Sequence, residues 1–464
     1  MIRFHPSFKT CLRFFSSHRK VALVGSGPTS FYLAQYLLKN DKNITVDMYE
    51  KSLAPFGLIR YGVAPDHADV KNVINTFQLV TKNPNFNYFG NINIGSDLKV
   101  SDLQTAYDAT VMAIGASLDR QLGIPGEIVK SLDFENVCIV GIGNVALDVA
   151  RILLSPIDRI RKTDIPESVI KVLSESKVKS IKIISRRGPL QASFTLKEFR
   201  ELNNLTYQQS GGNSVKLPVN LYPLGIMEDS ISYDQAEWTK FVEELPRPKR
   251  RIIQFMKGVA DEKPPLFDET GKSCDVLFLK TPKSILPSAE DLNRCGSIDL
   301  SQNYLKGFPG PQQGIRNDED SSLKIDCGMS DVIDTIDDLG RISNWSRILQ
   351  EYRCAFYASG WSRKGAKGVI VDSGIDGRTT GEGIIQDFAN VPELLSGPSK
   401  KGFEYIQDIL SHRSVKFTTF RDWERIDSEE TERGTKLGKP REKITSNEDY
   451  FKIILSNAVK DRGS

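Results

Sequence analysis

A pattern of strand, glycine-rich turn and helix occurs twice in this chain, and it constrains the fold more than any other feature. In the first copy, the apolar run Val21–Val24 meets the turn Gly25–Ser30, and an amphipathic stretch follows. Gly25 and Gly27 would let the backbone approach a pyrophosphate at the helix N-terminus. The pattern therefore predicts a parallel α/β unit that binds a dinucleotide.

A carboxylate stands where this kind of site needs one. The next predicted strand, Ile44–Tyr49, closes on Glu50, and an acid at that position binds the ribose hydroxyls of a dinucleotide. Ser30 replaces the usual third glycine, but a serine can still pack the helix against the strand. We interpret this unit as an FAD site. An ordinary tight turn between strand and helix is the alternative.

The second copy of the pattern ends on a different residue type. A predicted buried strand, Val137–Val140, precedes a turn with Gly141 and Gly143, and the strand after the following helix ends on Arg186 and Arg187. Two guanidiniums suit a 2′-phosphate, whereas a plain dinucleotide would lack a partner for its ribose hydroxyl. This unit therefore predicts an NADP site, with a solvated surface pair of arginines as the alternative.

Composition excludes several classes of protein. A length of 464 residues suggests two or three domains, and 62 Lys and Arg against 59 Asp and Glu give no global field for nucleic acid. The longest uncharged stretch, Val21–Leu38, contains Gly and Pro, so no transmembrane helix is predicted. No two cysteines form a CxxC pair, and histidines are few. We therefore predict no metal site, no iron–sulfur cluster and no redox-active disulfide.

The start of the chain has the composition of a mitochondrial presequence. It is basic and rich in phenylalanine, and the first acidic residue of the whole chain is Asp41. We predict a presequence over residues 1–18, cleaved near Ser17. A frayed, disordered start is the alternative.

Two dinucleotide sites in one chain usually indicate a flavoprotein that passes a hydride from a nicotinamide to an isoalloxazine ring. Disulfide reductases place a cysteine pair beyond the flavin, and this sequence has none. The electrons are therefore expected to leave by another route.

Five sequence motifs resemble those of one known family. They are Pro55–His67, Gly143–Arg151, Arg186–Gln191, Gly360–Trp361 and Gly438–Lys443. From about residue 20 to about residue 445, the chain is similar to the mitochondrial adrenodoxin reductase family of NADPH:ferredoxin oxidoreductases. The resemblance implies a glutathione reductase-like α/β fold with two Rossmann-type dinucleotide-binding domains. The FAD domain would be discontinuous, at 19–130 and 352–464, with the NADP domain inserted at 131–351.

The same resemblance implies roles for individual residues. Contacts to FAD are implied for Gly25, Gly27, Glu50, Leu58, Ile92, Gly368 and Ile370. Contacts to NADP are implied for Gly141, Gly143, Asn144, Val145, Arg186, Arg187 and Glu198. Trp361 would meet both cofactors, with an ordinary core tryptophan as the alternative.

Three residues are expected to be catalytic, namely His67, Asp148 and Trp361. In the family, the matching histidine and aspartate are linked by hydrogen bonding and are suspected in proton transfer. The predicted helix after His67 would favour a neutral imidazole at its N-terminus. A purely structural histidine at the start of that helix is the alternative.

The electron acceptor that the family implies is an acidic [2Fe–2S] ferredoxin of the adrenodoxin type, reduced one electron at a time. Two basic clusters could orient such a partner, one with Lys197 and Arg200 and the other with Arg247, Lys249, Arg250 and Arg251. Docking is predicted at Arg200, Arg247, Arg250 and Arg251, with a solvated basic face as the alternative. The expected location is the mitochondrial matrix, with a peripheral contact to the inner membrane.

The sequence also departs from the family pattern. The connection Ile128–Asn136 is short, and no strand is recognisable over 327–339, a loss that would expose a sheet edge. Ala366 replaces a proline, and Asp372 would put a negative charge near the flavin. The alternative function is therefore a degenerate nucleotide-binding protein without reductase activity, or a family member with missing coding segments.

Overall fold

Two mainly parallel β-sheets organise the chain, one in each of two layered α/β units, and among their described strands only the edge strand over Thr418–Thr419 pairs antiparallel. The structure is a computed structural model that describes residues 18–116, 122–125, 134–208, 212, 214–222, 235–262, 271–288, 295–306, 313–316, 336–342, 350–366, 368–391, 394 and 398–460. Within these ranges, no helix combines the length and the hydropathy that a membrane span requires.

The described elements are numbered in chain order. The strands are β1 (Arg19–Val24), β2 (Ile44–Tyr49), β3 (Phe86–Gly90), β4 (Ala109–Met112), β5 (Asn136–Val140), β6 (Ser180–Ile184), β7 (Thr206–Gln208), β8 (Ser214–Lys216), β9 (Val219–Tyr222), β10 (Ser273–Leu277), β11 (Lys280–Pro287), β12 (Cys295–Lys306), β13 (Gln313–Arg316), β14 (Ala355–Ala358) and β15 (Thr418–Thr419). The helices are α1 (Pro28–Asn40), α2 (Gly57–Tyr61), α3 (Ala68–Lys71), α4 (Val73–Thr81), α5 (Val100–Ala106), α6 (Asn144–Leu154), α7 (Ile157–Ile160), α8 (Glu167–Ser174), α9 (Leu196–Asn203), α10 (Gln235–Glu244), α11 (Arg247–Asp261), α12 (Trp361–Lys364), α13 (Ile370–Asn390), α14 (Phe403–His412), α15 (Phe420–Lys436) and α16 (Asn447–Lys460).

The first sheet has the strand order β14-β4-β1-β2-β3-β15. β1 pairs in parallel with both β2 and β4. Along β1, Val21 and Leu23 enter one apolar cluster, whereas Ala22 and Val24 enter another. Both faces of the strand are therefore covered, as is usual for a parallel sheet. Because β14 and β15 come from the last third of the chain, both ends of the sequence build this unit.

The second sheet, with the order β5-β6-β10-β9, comes entirely from the middle of the chain, and its strands pair in parallel. Its core contains Leu147, Ile183 and Phe199. Strands β11, β12 and β13 form a separate antiparallel sheet. The predicted α/β class, with one dinucleotide-binding domain inserted into a discontinuous second one, is confirmed.

Strand β5 lies at the edge of the second sheet in the described part of the chain. Asn136, Cys138 and Val140 are exposed along it. Two segments depart from the family pattern, Ile128–Asn136 and 327–339, and their residues 128–133 and 327–335 lie outside the described residues. In the described remainder, Ile336 forms a single bridge with Ile342. The expected loss of a sheet strand therefore stays a prediction.

A close helix contact holds α13 against the helix that follows the first glycine turn. A Cβ atom at Gly377 would lie 2.7 Å from the backbone oxygen of Thr29. One at Gly381 would lie 2.6 Å from Cδ1 of Tyr36. These distances are shorter than any real Cβ contact, so the two helices can approach this closely only with glycine at these positions.

A matched pair of glycine-to-alanine changes tests this contact. We expect Gly377→Ala to lower the free energy of unfolding by about 1–3 kcal/mol, because backbone atoms must move apart. A Cβ atom at Gly258, on α11, meets nothing within 4 Å. We therefore expect Gly258→Ala to raise stability by up to about 1 kcal/mol through helix propensity. Thermal unfolding midpoints should show the opposite signs, and a Gly377→Ala midpoint at or above wild type would contradict the contact.

Within the first unit, a buried ion pair ties the C-terminal helix α15 to α2. Arg60 Nη2 donates to Glu430 Oε1 at 2.5 Å, and the two side chains are 3% and 0% exposed. Glu430 also accepts from the Ile444 amide at 2.9 Å and from Arg441 Nη1 at 2.9 Å. Because both carboxylate oxygens have partners, the buried charge of Glu430 is compensated, and α15 and the chain after it are held in place.

Lysines of the first unit bind a loop of the second. Asp164 accepts from Lys71 Nζ at 2.7 and 2.8 Å and pairs with Lys443 Nζ at 2.9 Å. Burial lowers the pKa of Lys443 to about 8, although Asp164 opposes that shift. The fully buried Lys439 side chain donates to the Ile165 carbonyl at 2.8 Å. These contacts fix how the two units face each other.

Candidate functional site

The first glycine turn lies between β1 and α1 and is closed by its own backbone. Gly25 has φ of +100°, and its amide donates to the Tyr49 carbonyl at 2.7 Å. A Cβ atom on Gly25 would lie 2.4 Å from the Ala113 carbonyl oxygen, so glycine is required here. A Cβ atom on Gly27, which caps α1, would meet nothing within 4 Å. The space beside the Cα of Gly27, at the N-terminus of α1, is therefore open.

Glu50 is fixed beside this turn. Its Oε2 accepts from the Ser26 amide at 2.8 Å and from Ser26 Oγ at 2.7 Å. Its Oε1 accepts from the Ser52 amide at 2.9 Å. A carboxylate oxygen has two lone pairs, so Oε1 keeps one acceptor position for a ribose hydroxyl.

Three further residues predicted for FAD lie near these elements in different environments. Ile92 is buried in the core, and its amide donates to the Glu50 carbonyl at 2.9 Å. Leu58, on α2, is 44% exposed. Ile370 begins α13, which follows Gly368.

Ser30, at the third turn position, is fully buried, and within the described residues its Oγ has no hydrogen-bond partner.

Asp372 does not stand as a free charge in this region. Its Oδ2 accepts from the Val369 amide at 2.7 Å and so caps the N-terminus of α13. A carboxylate at a helix N-terminus compensates the positive end of the helix dipole. The charge that the sequence suggested as unfavourable for a flavin is therefore engaged with the helix end.

The loop that carries Trp361 packs on the N-terminus of α1. Gly360 has φ of +67°, and a Cβ atom there would lie 2.5 Å from Thr29 Oγ1. The Gly360 amide donates to the buried carboxylate of Asp376 at 2.5 Å. Asp376, on α13, thereby positions the half-buried Trp361. Sequence reasoning missed this aspartate, although an acidic residue among the glycines of α13 was a possible signal.

The second glycine turn lies between β5 and α6 and, like the first, is closed by a backbone hydrogen bond. The Gly141 amide donates to the Ile184 carbonyl at 2.9 Å, and Gly143 caps α6. Asn144 Oδ1 accepts from the Thr195 amide at 2.7 Å, which joins this turn to the start of α9. Val145 is 72% exposed. The turn and the first residues of α6 therefore present an open surface.

Arg186 and Arg187 follow β6 at the expected place, and their backbone is fixed from behind. Asn303 Nδ2 donates to the Arg186 carbonyl at 2.9 Å, and Ser185 Oγ donates to the Arg187 carbonyl at 2.9 Å. In the described part of the chain, neither guanidinium has a carboxylate partner. With a fixed backbone and no carboxylate partner among the described residues, the two arginines can bind an anion.

Glu198, on the first turn of α9, has an unpaired oxygen. Its Oε2 is buried and has no hydrogen-bond partner among the described residues. A buried unpaired carboxylate oxygen is costly. A hydroxyl or amide of a bound ligand would relieve that cost, so Glu198 fits a role in the pocket of the second unit.

His67 forms a hydrogen bond, but not with the predicted partner. Its Nδ1 lies 4.0 Å from Asp148 Oδ1, beyond hydrogen-bond distance. Arg151, one turn further along α6, instead donates to that oxygen at 2.7 Å. His67 Nε2 lies 2.5 Å from Glu201 Oε2, on α9 of the second unit. Sequence reasoning missed Glu201, because 134 residues separate it from the histidine.

Arg151 is the centre of this polar cluster. It is fully buried and donates to both carboxylate oxygens of Asp66, at 2.8 and 2.9 Å. Burial disfavours the Asp66 carboxylate, but the hydrogen bonds and charge of Arg151 outweigh this effect and lower the pKa of Asp66. Burial opposes the charge of Arg151 as well, and Asp66 and Asp148 reverse that effect and raise its pKa.

This arrangement gives His67 Nε2 two neighbours of opposite character. Arg151 Nη2, which can only donate, lies 3.2 Å away, and the carboxylate of Glu201 can only accept. A proton on Nε2 is stabilised by Glu201, and the deprotonated nitrogen can accept from Arg151. In either tautomer of the imidazole, Nε2 therefore has a hydrogen-bond partner.

The basic residues predicted for docking lie in different settings. Arg200 lies over the ring of Phe255 on α11, 5.1 Å from its centroid, so α9 and α11 share this face. Arg247 and Arg251 are exposed. Arg250 donates to the Leu245 carbonyl at 3.2 Å and is partly buried. Three of the four arginines are thus accessible on the second unit.

A cavity of about 720 Å³ lies elsewhere, where both units meet the C-terminal segment. Its lining includes Lys51 and Ser52 after β2, Pro166 of the second unit, and Lys443. None of the predicted site residues lines it. Because the Ser52 amide donates to Glu50 at 2.9 Å, the cavity adjoins the carboxylate beside the first glycine turn.

Comparison with known proteins gives a consistent result, although no family model matches the sequence. NADPH:adrenodoxin oxidoreductase, mitochondrial, of Bos taurus is 34% identical over 473 residues, covering 94% of this chain and 92% of that protein. The protein of the same name from Salvelinus fontinalis is 36% identical over 472 residues, covering 92% and 90%. The one from Arabidopsis thaliana is 30% identical over 490 residues, covering 95% and 97%.

A solved structure is similar over the same extent. Mycobacterium tuberculosis FprA in complex with NADPH superposes with a TM-score of 0.78 at 29% sequence identity. The match covers 94% of this chain and 99% of FprA. The similarity therefore includes both α/β units.

Proposed function

The chain belongs to the NADPH:adrenodoxin oxidoreductase family, and on that basis we propose that it transfers electrons from NADPH, through FAD, to a [2Fe–2S] ferredoxin of the adrenodoxin type. It is an FAD-dependent enzyme with FAD and NADP(H) as cofactors. The observation that carries the proposal is the pair of glycine turns, one followed by Glu50 and the other by unneutralised arginines. The comparisons give no support to the degenerate alternative.

The residues of the first unit fit FAD. The open N-terminus of α1 at Gly27 would hold the pyrophosphate, and Glu50 Oε1 would hold a ribose hydroxyl. The start of α13, with Gly368 and Ile370, and the side chain of Trp361 would border the flavin ring. When bound, FAD accepts a hydride and gives up electrons singly to a one-electron acceptor.

The residues of the second unit fit NADP(H). The turn at Gly141 and Gly143, with the adjoining Asn144 and Val145, would hold the pyrophosphate. Arg186 and Arg187 would bind the 2′-phosphate, and Glu198 would accept from a hydroxyl or amide of the nucleotide. We propose domain limits of 19–130 with 352–464 for FAD and 131–351 for NADP, and the two sheets lie within these limits.

The polar cluster around His67 would bind and transfer protons during the reaction. Oxidation of NADPH by a one-electron acceptor releases one proton overall, and His67 would exchange that proton between Glu201 and the active-site side. Arg151 donates to both Asp66 and Asp148 and so fixes these two carboxylates beside the histidine. Asp148 then acts through Arg151 and not by a direct bond to His67.

The names of the relatives and the composition of the start of the chain support a location for the protein. The relatives from Bos taurus, Salvelinus fontinalis and Arabidopsis thaliana are named mitochondrial, and the basic start of this chain agrees with a presequence over 1–18. We propose the mitochondrial matrix as the location, with a peripheral contact to the inner membrane. We propose Arg200, Arg247, Arg250 and Arg251 as the docking face for the acidic ferredoxin.

One experiment separates chemistry from docking. The protein with FAD bound should be bleached by NADPH, and a [2Fe–2S] ferredoxin should reoxidise it faster than oxygen does. In Arg247→Glu/Arg251→Glu, we expect ferredoxin reduction to fall about tenfold or more at low salt and its salt dependence to flatten. Reduction of a small uncharged dye should be unchanged, because that reaction does not use the surface.

Lys39→Glu/Lys42→Glu provides the matched control, since it changes the net charge equally at exposed positions at the end of α1. It should leave both reactions unchanged. Loss of dye and ferredoxin reduction together in the α11 variant would mean that the arginines support the second unit rather than docking. Failure of NADPH to bleach the bound flavin would favour the degenerate alternative.

A further inference from the structure

Lys249, on the first turn of α11, lies beside the arginines that follow β6. Leu190, Val242 and Ile253 form one apolar cluster. Leu190 is three residues after Arg187, and Ile253 is one helical turn after Lys249. The cluster therefore holds the start of α11 against the loop that carries Arg187.

The charges at this place are not neutralised. Burial, followed by repulsion from Arg187, lowers the pKa of Lys249. Across the residues that the structure describes, no carboxylate pairs with Lys249, Arg186 or Arg187. By contrast, Lys197 on the neighbouring α9 pairs with Asp69 at 2.9 Å.

Neighbouring cations without counter-charges among the described residues indicate an anionic ligand. Holding like charges together costs free energy, and a doubly charged phosphate monoester would repay that cost through charge-assisted hydrogen bonds. The loop is also fixed in advance, because Asn303 Nδ2 donates both to the Arg186 carbonyl and to Thr281 Oγ1. A ligand would therefore meet a site that needs little rearrangement.

We propose that Lys249 is a third cation at the 2′-phosphate site and a specificity-determining residue for NADP(H) over NAD(H), an inference that rests on the proposed NADP(H) site. Without the phosphate, Lys249 and Arg187 repel each other, so a nucleotide that lacks it leaves that repulsion in place. The lysine thus contributes both attraction to one nucleotide and discrimination against the other. This role distinguishes Lys249 from Arg247, Arg250 and Arg251, the residues of the same helix that we propose for ferredoxin docking.

The test measures nucleotide binding to the protein with FAD bound, by isothermal titration calorimetry. The probes are adenosine 2′,5′-bisphosphate and 5′-AMP, which differ only in the 2′-phosphate. Lys249→Met, which keeps the apolar stem, should weaken binding of the bisphosphate about tenfold, the usual effect of one charge-assisted hydrogen bond. It should leave 5′-AMP binding unchanged, and Lys249→Arg should restore bisphosphate affinity. Lys257→Met, two turns further along α11, is the matched control and should change neither.

The outcomes separate this inference from the assignment of the site. If Arg187→Met weakens bisphosphate binding and Lys249→Met does not, Lys249 has no role at the phosphate and the site assignment stands. If neither change alters the preference for the bisphosphate, the site itself has been misplaced. Equal weakening of both probes by Lys249→Met would also overturn the inference, because it would indicate a structural role.

Discussion

Replacing both Arg186 and Arg187 with alanine is expected to raise the KM for NADPH about a hundredfold or more, because each guanidinium contact to a phosphate contributes about 1.5–3 kcal/mol. The KM for NADH should remain nearly unchanged, since NADH has no 2′-phosphate to lose a partner. Steady-state reduction of a small dye with each nucleotide measures both constants without involving the protein partner.

The control for this variant removes the same amount of charge elsewhere on the second unit. Arg159→Ala/Arg161→Ala changes two exposed arginines near α7 and should leave both KM values as in wild type. An equal increase of both KM values in the Arg186/Arg187 variant would show that the pair does not bind the 2′-phosphate. That result would remove the main reason for assigning NADP(H) to this turn.

The second large effect concerns stability. We expect Glu430→Ala to destabilise the first unit by about 3–5 kcal/mol, because it leaves the buried charge of Arg60 without its counter-charge. The Ile444 amide loses its acceptor as well, and Arg441 keeps only Asp427 among the described carboxylates. Release of FAD during urea unfolding, followed by flavin fluorescence, reports the loss of this unit and should occur at a lower urea concentration.

A surface pair on the same helix provides the comparison. Glu429 and Arg433 pair at 2.8 Å with both side chains substantially exposed, so Glu429→Ala should change stability by less than about 0.5 kcal/mol. Adding Arg60→Met to Glu430→Ala should cost little more, because the unpaired charge is then removed. A Glu430→Ala midpoint equal to that of Glu429→Ala would show that the buried pair does not anchor α15.

The fold and the two nucleotide turns could be predicted because their signals are local. Apolar runs of strand length, a glycine turn and an amphipathic helix follow one another within about thirty residues, and each step restricts the next. The residue that ends the following strand, Glu50 in one unit and Arg186 in the other, then indicates which nucleotide suits each turn. These positions depend on the chain order alone, so no knowledge of distant contacts was needed.

The environment of the catalytic candidates could not be predicted in this way. The hydrogen bond expected between His67 and Asp148 is absent, because Arg151 takes the aspartate and Glu201 takes the histidine. Asp372, expected as a charge near the flavin, accepts from the Val369 amide and caps α13. The outcome at His67 depends on side chains from separate segments that compete for the same partner.

The sequence by itself therefore determined the elements, the two turns and the residue types at their ends, since short-range sterics and hydrophobic periodicity select them. Only the tertiary structure decided which charges meet across the units. His67 and Glu201, Arg151 and Asp66, and Lys249 and Arg187 each come from different elements. Electrostatic interactions act through space and depend on burial, so their partners become defined only when packing has set the distances and excluded water.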